Sequence, residues 1–261
     1  MNFLQAILLG IVEGITEFLP ISSTFHLIFT ARLLHLPNND FIKLFEVFIQ
    51  SGAILSVLLL YAKDLLKDLD LVKKVLVSFV PTALVGFILY AVIKNIFFEA
   101  DMLMLTVFMF VGLLFIVSEW LFQKEKLQLK HSLHRLSYRD AVVIGFIQSL
   151  AVIPGVSRAG SVILGMMFLR YRRDEAARYS FILSIPTIFM ASAYDLYKMR
   201  EIAFAYSSNV IILLVGFATA FVSSYIVIQW FIGFLKRNTL IPFGLYRIVL
   251  GIILLLGASV A

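Results

Sequence analysis

Two glutamates, Glu13 and Glu17, stand four residues apart in an apolar stretch, followed at once by Pro20, Ser22, Ser23, Thr24 and His26. At i and i+4 the carboxylates share one helical face, about one turn apart. In hydrocarbon each costs about 2.5–3.5 kcal/mol on an insertion scale for a closely related acid. At roughly 6 Å and an effective dielectric near 20 the pair also repels by about 3 kcal/mol, so it requires a shared proton or a cation. Pro20 ends the helix, because its ring cannot continue the ladder and the residue before it is pushed out of the α region. The three hydroxyls then offer a cap for a new helix, or a nucleophile if a base is in reach. His26 lies one turn after Ser23, which favours Ser23 as the attacking group; Ser22 is equivalent if the break extends past Ser23, and a metal-activated water is a third route.

A second cluster faces this one. Arg158 stands in PGVSRAG, inside an apolar run over residues 141–169. A buried guanidinium needs an anion, either Glu13 or Glu17 or a bound phosphate. Pro154 and Gly155, then Ser157 with Gly160 nearby, place a small-residue turn and a helix N-terminus beside it, which is anion-binding architecture. Acids that hold Mg²⁺ or Ca²⁺ and an arginine that neutralises phosphate oxygens together describe phosphoryl transfer, and within a membrane the phosphate belongs to a lipid. His35, His131 and His134 have no metal-ligand spacing, and Arg247, within the last apolar run, reads as structural or interfacial.

The elements that must position these groups are those of a membrane protein. Of 261 residues 61% are hydrophobic and only 15% charged, with a mean hydropathy of +0.99, a composition too poor in charge for a soluble surface. Cysteine is absent, which removes disulfides and thiolate chemistry. The net charge of +6 is explained by basic cytoplasmic loops rather than nucleic acid. The N-terminus lacks a basic n-region and a cleavage site, so no cleaved signal peptide is expected. Each half of residues 1–36 is too short to span the bilayer, which suggests a re-entrant helix pair. Residues 141–169 repeat that pattern. Spans are expected at residues 47–61, 75–93, 102–120, 179–197, 210–235 and 240–261, with a lysine-rich loop at 62–74 and a polar linker at 123–140.

Basic residues orient the chain: Lys63, Lys67, Lys73 and Lys74; Lys124, Lys126, Lys130, Arg135 and Arg139; Arg170, Arg172, Arg173 and Arg178; Lys236 and Arg237. All fall on one side, the cytoplasmic one, leaving Arg32, Lys43, Lys94, Lys198 and Arg200 outside. An internal repeat pairs Gly10 with Gly145, Glu13 with Gln148 and, after a one-residue gap, Pro20 with Pro154 and Ser23 with Ser157. Three spans separate the two copies, so the second enters from the opposite face. The expected fold is an all-α integral membrane protein: an inverted-topology repeat with about six spanning helices and two re-entrant helix pairs, divided as residues 1–122, a cytoplasmic linker 123–140, and 141–261.

At these residues the sequence resembles the undecaprenyl-pyrophosphate phosphatase family of the bacitracin-resistance type. EGITEFLPISSTFH is similar to its glutamate-rich motif, PGVSRAG to its second motif, and FEVFIQSGAILSV and FILSIPTI extend the resemblance over the chain. The resemblance implies hydrolysis of undecaprenyl pyrophosphate to the monophosphate carrier lipid of cell-wall synthesis, at a divalent-cation-dependent site in the cell membrane open to the outer face. Carried over, Glu13 and Glu17 match the acidic pair and metal ligands, and Ser23, His26, Glu17 and Arg158 the catalytic groups. Ser22, Thr24, Gly155, Ser157 and Arg158 match the substrate contacts. A homodimer is a further expectation; nucleic acid is not an expected partner. Phe25 stands where that family commonly has glycine, Ala159 where it has serine, and Ser161-Val162 where it has Ala-Thr, the last two removing hydroxyls from the phosphate clamp. The competing reading is a transporter of polyprenyl phosphate, since inverted repeats with broken helices also build transporters. A transporter needs anion-binding groups but no nucleophile, so the Ser-Ser-Thr-x-His run favours the hydrolase.

Overall fold

Capping chemistry sets where the helices begin. In the computed structural model, which describes residues 1–92, 101–124 and 127–258, Asn2 caps α1 (Phe3–Thr16) in a reciprocal box with Gln5 and Asn39 caps α3 (Asp40–Lys67) by accepting from the Ile42 amide. The short helix α2 (Ser23–Leu33) lies between them. α4 spans Leu69–Val92 and α5 Asp101–Lys124. Ser137 and Asp140 form a second capping box at the start of α6 (Tyr138–Ser149). Then follow α7 (Arg158–Phe168), α8 (Arg173–Lys198), the single turn α9 (Arg200–Ala203), α10 (Ser207–Leu235) and α11 (Ile241–Ala258). Satisfying an orphan N–H in this way is worth about 1 kcal/mol per cap.

The all-helical expectation holds among the described residues, where the β-structure is one isolated bridge between His131 and Tyr171. Four helices, α3, α4, α5 and α10, are long and apolar enough to cross a membrane. The lysine-rich loop expected at 62–74 is a correction: α3 runs on to Lys67 and α4 starts at Leu69. Only Asp68 breaks the ladder, and its carboxylate caps the next helix by accepting from the Leu71 amide at 2.9 Å. Charged residues on a helix end remain helical when their long stems can reach water. The expected span ends at Ile93 and Ala261, and the basic residues Lys94 and Lys126, lie outside the described residues.

Helices meet through small residues. A Cβ added at Gly10 or Gly14 would strike Gly216, Thr219, Ala220 or Ser223 of α10; one at Gly145 would come within 2.3 Å of the Ser78 carbonyl of α4. Gly52 lies equally close to Phe217, and Gly112 faces Gly244 across α5 and α11. Small residues let backbones approach where lipid offers no hydrophobic drive. The pairing has a regularity: α1 packs on α10 as α6 packs on α4, α1 on α2 as α6 on α7, while α3 meets α8 and α5 meets α11.

The backbone carries the same regularity. α2 and α7 each have 11 residues. Each is preceded by a serine in left-handed backbone, Ser22 (φ 67°) and Ser157 (φ 26°), and followed by another non-glycine residue with positive φ, His35 and Arg170. Ser22 and Ser157, His35 and Arg170, and Glu13 and Gln148 are separated by one and the same interval along the chain. At that interval Ser22 stands with Ser157 and Ser23 with Arg158, whereas the alignment with a one-residue gap pairs Ser23 with Ser157.

Close packing makes a direct expectation. Gly145→Ala should lower stability by about 1–3 kcal/mol, since the added methyl meets backbone that must move. Gly86→Ala in α4, where nothing lies within 4 Å of the added Cβ, should be neutral or stabilise by up to about 1 kcal/mol. Thermal unfolding of both variants in detergent checks the pair; equal melting temperatures would contradict the packing.

Candidate active site

Both helix breaks end at one cavity. α1 stops at Thr16, and Glu17 is its C-cap, so its side chain leaves the end of the helix while Glu13 stays one turn back. The chain turns through Pro20 and Ser22 into α2. On the other side α6 stops at Ser149, one 3₁₀ turn covers Leu150–Val152, and Gly155, at φ 92°, leads through Ser157 into α7. A non-glycine residue at positive φ costs of order 1–3 kcal/mol. Two serines held that way at one cavity mark a place where geometry outweighs local comfort. Ser157 offsets part of that cost, accepting from the Gly160 amide at 3.1 Å.

The cavity has a volume of about 240 Å³ and is lined by Glu17, Ser22, Ser23, Thr24, Gly155, Ser157 and Arg158, with Gln50, Thr82, Gln148 and Thr187 on its wall. Seven of the residues singled out in the sequence thus meet in one space. Glu17 is the hub. Its Oε2 accepts from Ser23 Oγ at 2.5 Å and its Oε1 from Arg158 Nη2 at 2.8 Å. Arg158 Nη1 donates to the Ser180 carbonyl at 2.9 Å, and its Nε is buried without a partner. The ion pair is nearly sealed, with 11% of the arginine and 7% of the glutamate side chain exposed. Both α2 and α7 point their N-termini at the space, so unpaired amides and helix dipoles favour negative charge there.

Glu13 and His26 are not among the lining residues. Both Glu13 oxygens are buried with no hydrogen-bond donor, beside the Glu17 carboxylate. That is a chemically incomplete arrangement, since carboxylate oxygens shielded from water need a proton or a cation. Hard oxygen donors of this kind suit Mg²⁺ or Ca²⁺. Among the described residues no three His, Cys, Asp or Glu come together as a metal cage, so water and substrate oxygens would supply the other ligands.

His26 differs from the sequence expectation. Its Nδ1 lies 2.8 Å from the Ser22 carbonyl, which can only accept, so Nδ1 carries the proton. Nε2 of the neutral ring therefore accepts from Tyr246 Oη, 2.7 Å away on α11, with the two rings stacked. The expected pairing of Ser23 with His26 is not formed; Ser23 Oγ donates its hydrogen bond to Glu17 instead. Tyr246 escaped the sequence reading because it follows His26 by more than two hundred residues within an apolar helix, with no periodic signal to mark it.

The departures from the family motif have a structural place. Ala159 and Val162 are fully buried, and Val162 packs in the main apolar core with Phe115 and Met166. Phe25 is buried and stacks on Phe108 of α5 with ring centroids 3.9 Å apart, a contact worth about 0.5–1.5 kcal/mol beyond its area that glycine could not make. Tyr246→Phe should remove the donor to His26 and destabilise the protein by about 0.5–1.5 kcal/mol. Nitrogen-15 resonances of labelled histidine check it, because His26 Nε2 should shift; an unmoved resonance would show that the bond is not made.

The Bacitracin resistance protein BacA family model matches residues 6–253. The undecaprenyl-diphosphatase of Persephonella marina is 45% identical over 256 residues, covering 98% of this chain and 99% of that protein. Those of Aquifex aeolicus and of a Sulfurihydrogenibium species are 44% and 46% identical, and this chain aligns over 95% and 97% of its length, 96% and 98% of theirs. With two helix breaks bringing Glu17, Ser23 and Arg158 to one cavity and agreement from end to end, this chain belongs to the BacA family.

Proposed function

We propose that this protein hydrolyses undecaprenyl diphosphate to undecaprenyl phosphate and orthophosphate, returning the lipid carrier to cell-wall synthesis. The observation that carries the reading is the Ser23–Glu17–Arg158 chain: a hydroxyl bonded to a carboxylate, which is bonded to an arginine, at the floor of a cavity faced by two helix N-termini. The relatives' names agree with it. A carrier that merely moves a polyprenyl phosphate requires anion-binding groups but gains nothing from a serine hydrogen-bonded to a base, so the transporter reading is not favoured.

Ser23 Oγ attacks the terminal phosphorus as its proton passes to Glu17 Oε2. The bond to the bridging oxygen breaks, and undecaprenyl phosphate leaves with that oxygen. Water then adds to the phosphorus of the phosphoserine. Glu17 returns its proton to Ser23 Oγ while taking one from the water, and gives that one up with the departing phosphate. Arg158 holds the transferring phosphoryl oxygens: its unpartnered Nε, beside the Nη2 that Glu17 now holds, presents the fork an arginine uses on phosphate. His26 steadies the Ser22 carbonyl, and with it the turn that delivers Ser23. Glu13 and Glu17 would hold the divalent cation, Mg²⁺ or Ca²⁺, which supplies neutralisation of the diphosphate charge when bound. Positioning and charge neutralisation then carry most of the rate.

The same reading extends to the frame. The matched helix pairs, the two capped 11-residue helices and their positive-φ flanks support an inverted repeat, with re-entrant pairs α1–α2 and α6–α7, six spans formed by α3, α4, α5, α8, α10 and α11, and a division near residues 123–140. The basic clusters support a cytoplasmic linker in the cell membrane, and the diphosphate site opens to the outer face. A homodimer is the proposed assembly.

Purified protein with undecaprenyl or farnesyl diphosphate tests the function by phosphate release with and without EDTA. Ser23→Ala should abolish turnover while binding survives, Ser22→Ala should keep partial activity, and Arg158→Lys should lose at least about 100-fold although charge is retained. Near-normal release from Ser23→Ala would replace the covalent step with attack by water. Glu13→Gln should raise the Mg²⁺ concentration for half-maximal activity as well as lower the rate; unchanged metal dependence would leave the acids to proton transfer alone.

A further inference from the structure

Arg247 is completely buried in α11, and the partners of its guanidinium are neutral. Nε donates to the Phe108 carbonyl of α5 at 2.8 Å, Nη1 to the Pro20 carbonyl at 3.2 Å and Nη2 to the Gly155 carbonyl. The plane also lies over the Phe108 ring, 4.4 Å from its centroid. A buried guanidinium ordinarily pairs with a carboxylate. Here it instead answers three carbonyls on three separate segments, two of which are the tips of the broken helices.

Those tips need such a partner. Breaking a helix inside a membrane frees carbonyls that water cannot reach, each costing several kcal/mol if left bare. Pro20 and Gly155 each stand two residues before a left-handed serine, Ser22 and Ser157, and each is three before one of the reacting groups, Ser23 and Arg158. One rigid planar group therefore fixes both tips at once. The tips have little slack around it: Gly155 sits so close to α5 that an added Cβ would come within 2.6 Å of the Met104 carbonyl, and Gly112 brings α5 against the Cβ of Arg247. We propose that Arg247 is a positioning residue that pins the nucleophile-bearing tip and the phosphate-binding tip to each other through their backbone carbonyls, setting the distance across which phosphoryl transfer occurs. This rests on the diphosphatase reading above. The guanidinium's separated donors suit the task, whereas a lysine ammonium in the same place is a compact point charge that cannot spread over three segments.

The chain has no cysteine, so Val156→Cys, on the cavity wall beside Gly155, provides a single thiol that reports on the second tip, and this single-cysteine protein is the parent to which every rate is referred. Its rate of modification by a small methanethiosulfonate is measured in the parent, Arg247→Lys and Arg247→Met backgrounds, with kcat and KM for farnesyl diphosphate and the melting temperature. The expected result is a thiol rate raised at least about tenfold in both backgrounds. The lysine variant should lose at least about tenfold in kcat with KM changed less than about threefold, at a melting temperature that keeps the protein folded at assay. Parental thiol rate and parental kcat in folded variants would overturn the proposal, as would equal loss of kcat and active fraction at an unmoved thiol rate. Failure of both variants to fold would assign Arg247 to stability alone and overturn it too. If the parent releases no phosphate the diphosphatase reading fails, while the thiol rates still decide whether Arg247 pins the tip.

Discussion

Charge placed inside a membrane protein has to be answered by polar groups brought from somewhere else in the chain. Glu17 and Arg158 do this across the whole molecule: one closes the first helix of the chain, the other opens the helix after the second break, and they meet in a nearly sealed contact. Breaking such a pair by removing one member typically costs 3–5 kcal/mol, because the survivor is left buried and alone. The pair can exist only if the end of α1 and the start of α7 are brought together. It also leaves Glu17 with one oxygen for Arg158 and one for Ser23, so the interaction that joins the two helix breaks also orients the Ser23 hydroxyl.

The remaining polar contacts follow the same logic of supplying from a distant element what a broken helix lacks. Gln148 donates to Thr82 and Thr187, Ser78 of α4 donates to the Ala141 carbonyl, and Ser224 of α10 donates to the Gly14 carbonyl. At the opposite end of α5, Glu119 is fully buried, yet it accepts from both Arg173 and the Leu240 amide. No single one of these bonds is worth more than about 1–3 kcal/mol net. Together they make the breaks tolerable, and the breaks are what put two helix N-termini at one cavity.

The residues of the candidate site are easier to read in the sequence than the joints that hold them. Glu13, Glu17, Ser22, Ser23, Thr24, Ser157 and Arg158 are legible because polar groups in an apolar run have no cheap structural explanation. The helical character of residues 62–74 was hidden, since lysines and aspartates at the end of a helix look like a loop when only polarity is read. The register of the repeat was hidden for another reason: matching Pro20 to Pro154 requires a gap, whereas the backbone aligns Pro20 with Gly155, two residues that turn a chain by different means. Tyr246 and Arg247 were the hardest. Arg247 stood out as a charge in a greasy helix, but its partners are backbone carbonyls, and carbonyls leave no trace in a sequence.

Ser23 and Arg158 each stand one residue past a left-handed serine and each opens a helix of 11 residues. Two identical halves facing one another would present either two hydroxyls, with no cation to draw phosphate in, or two guanidiniums, with nothing to attack it. Glu17 adds to that difference, since Val152 stands at the same interval in the second break and offers no carboxylate. Likeness between the two breaks builds the chamber, and unlikeness at matched positions brings a hydroxyl, a carboxylate and a guanidinium into it together.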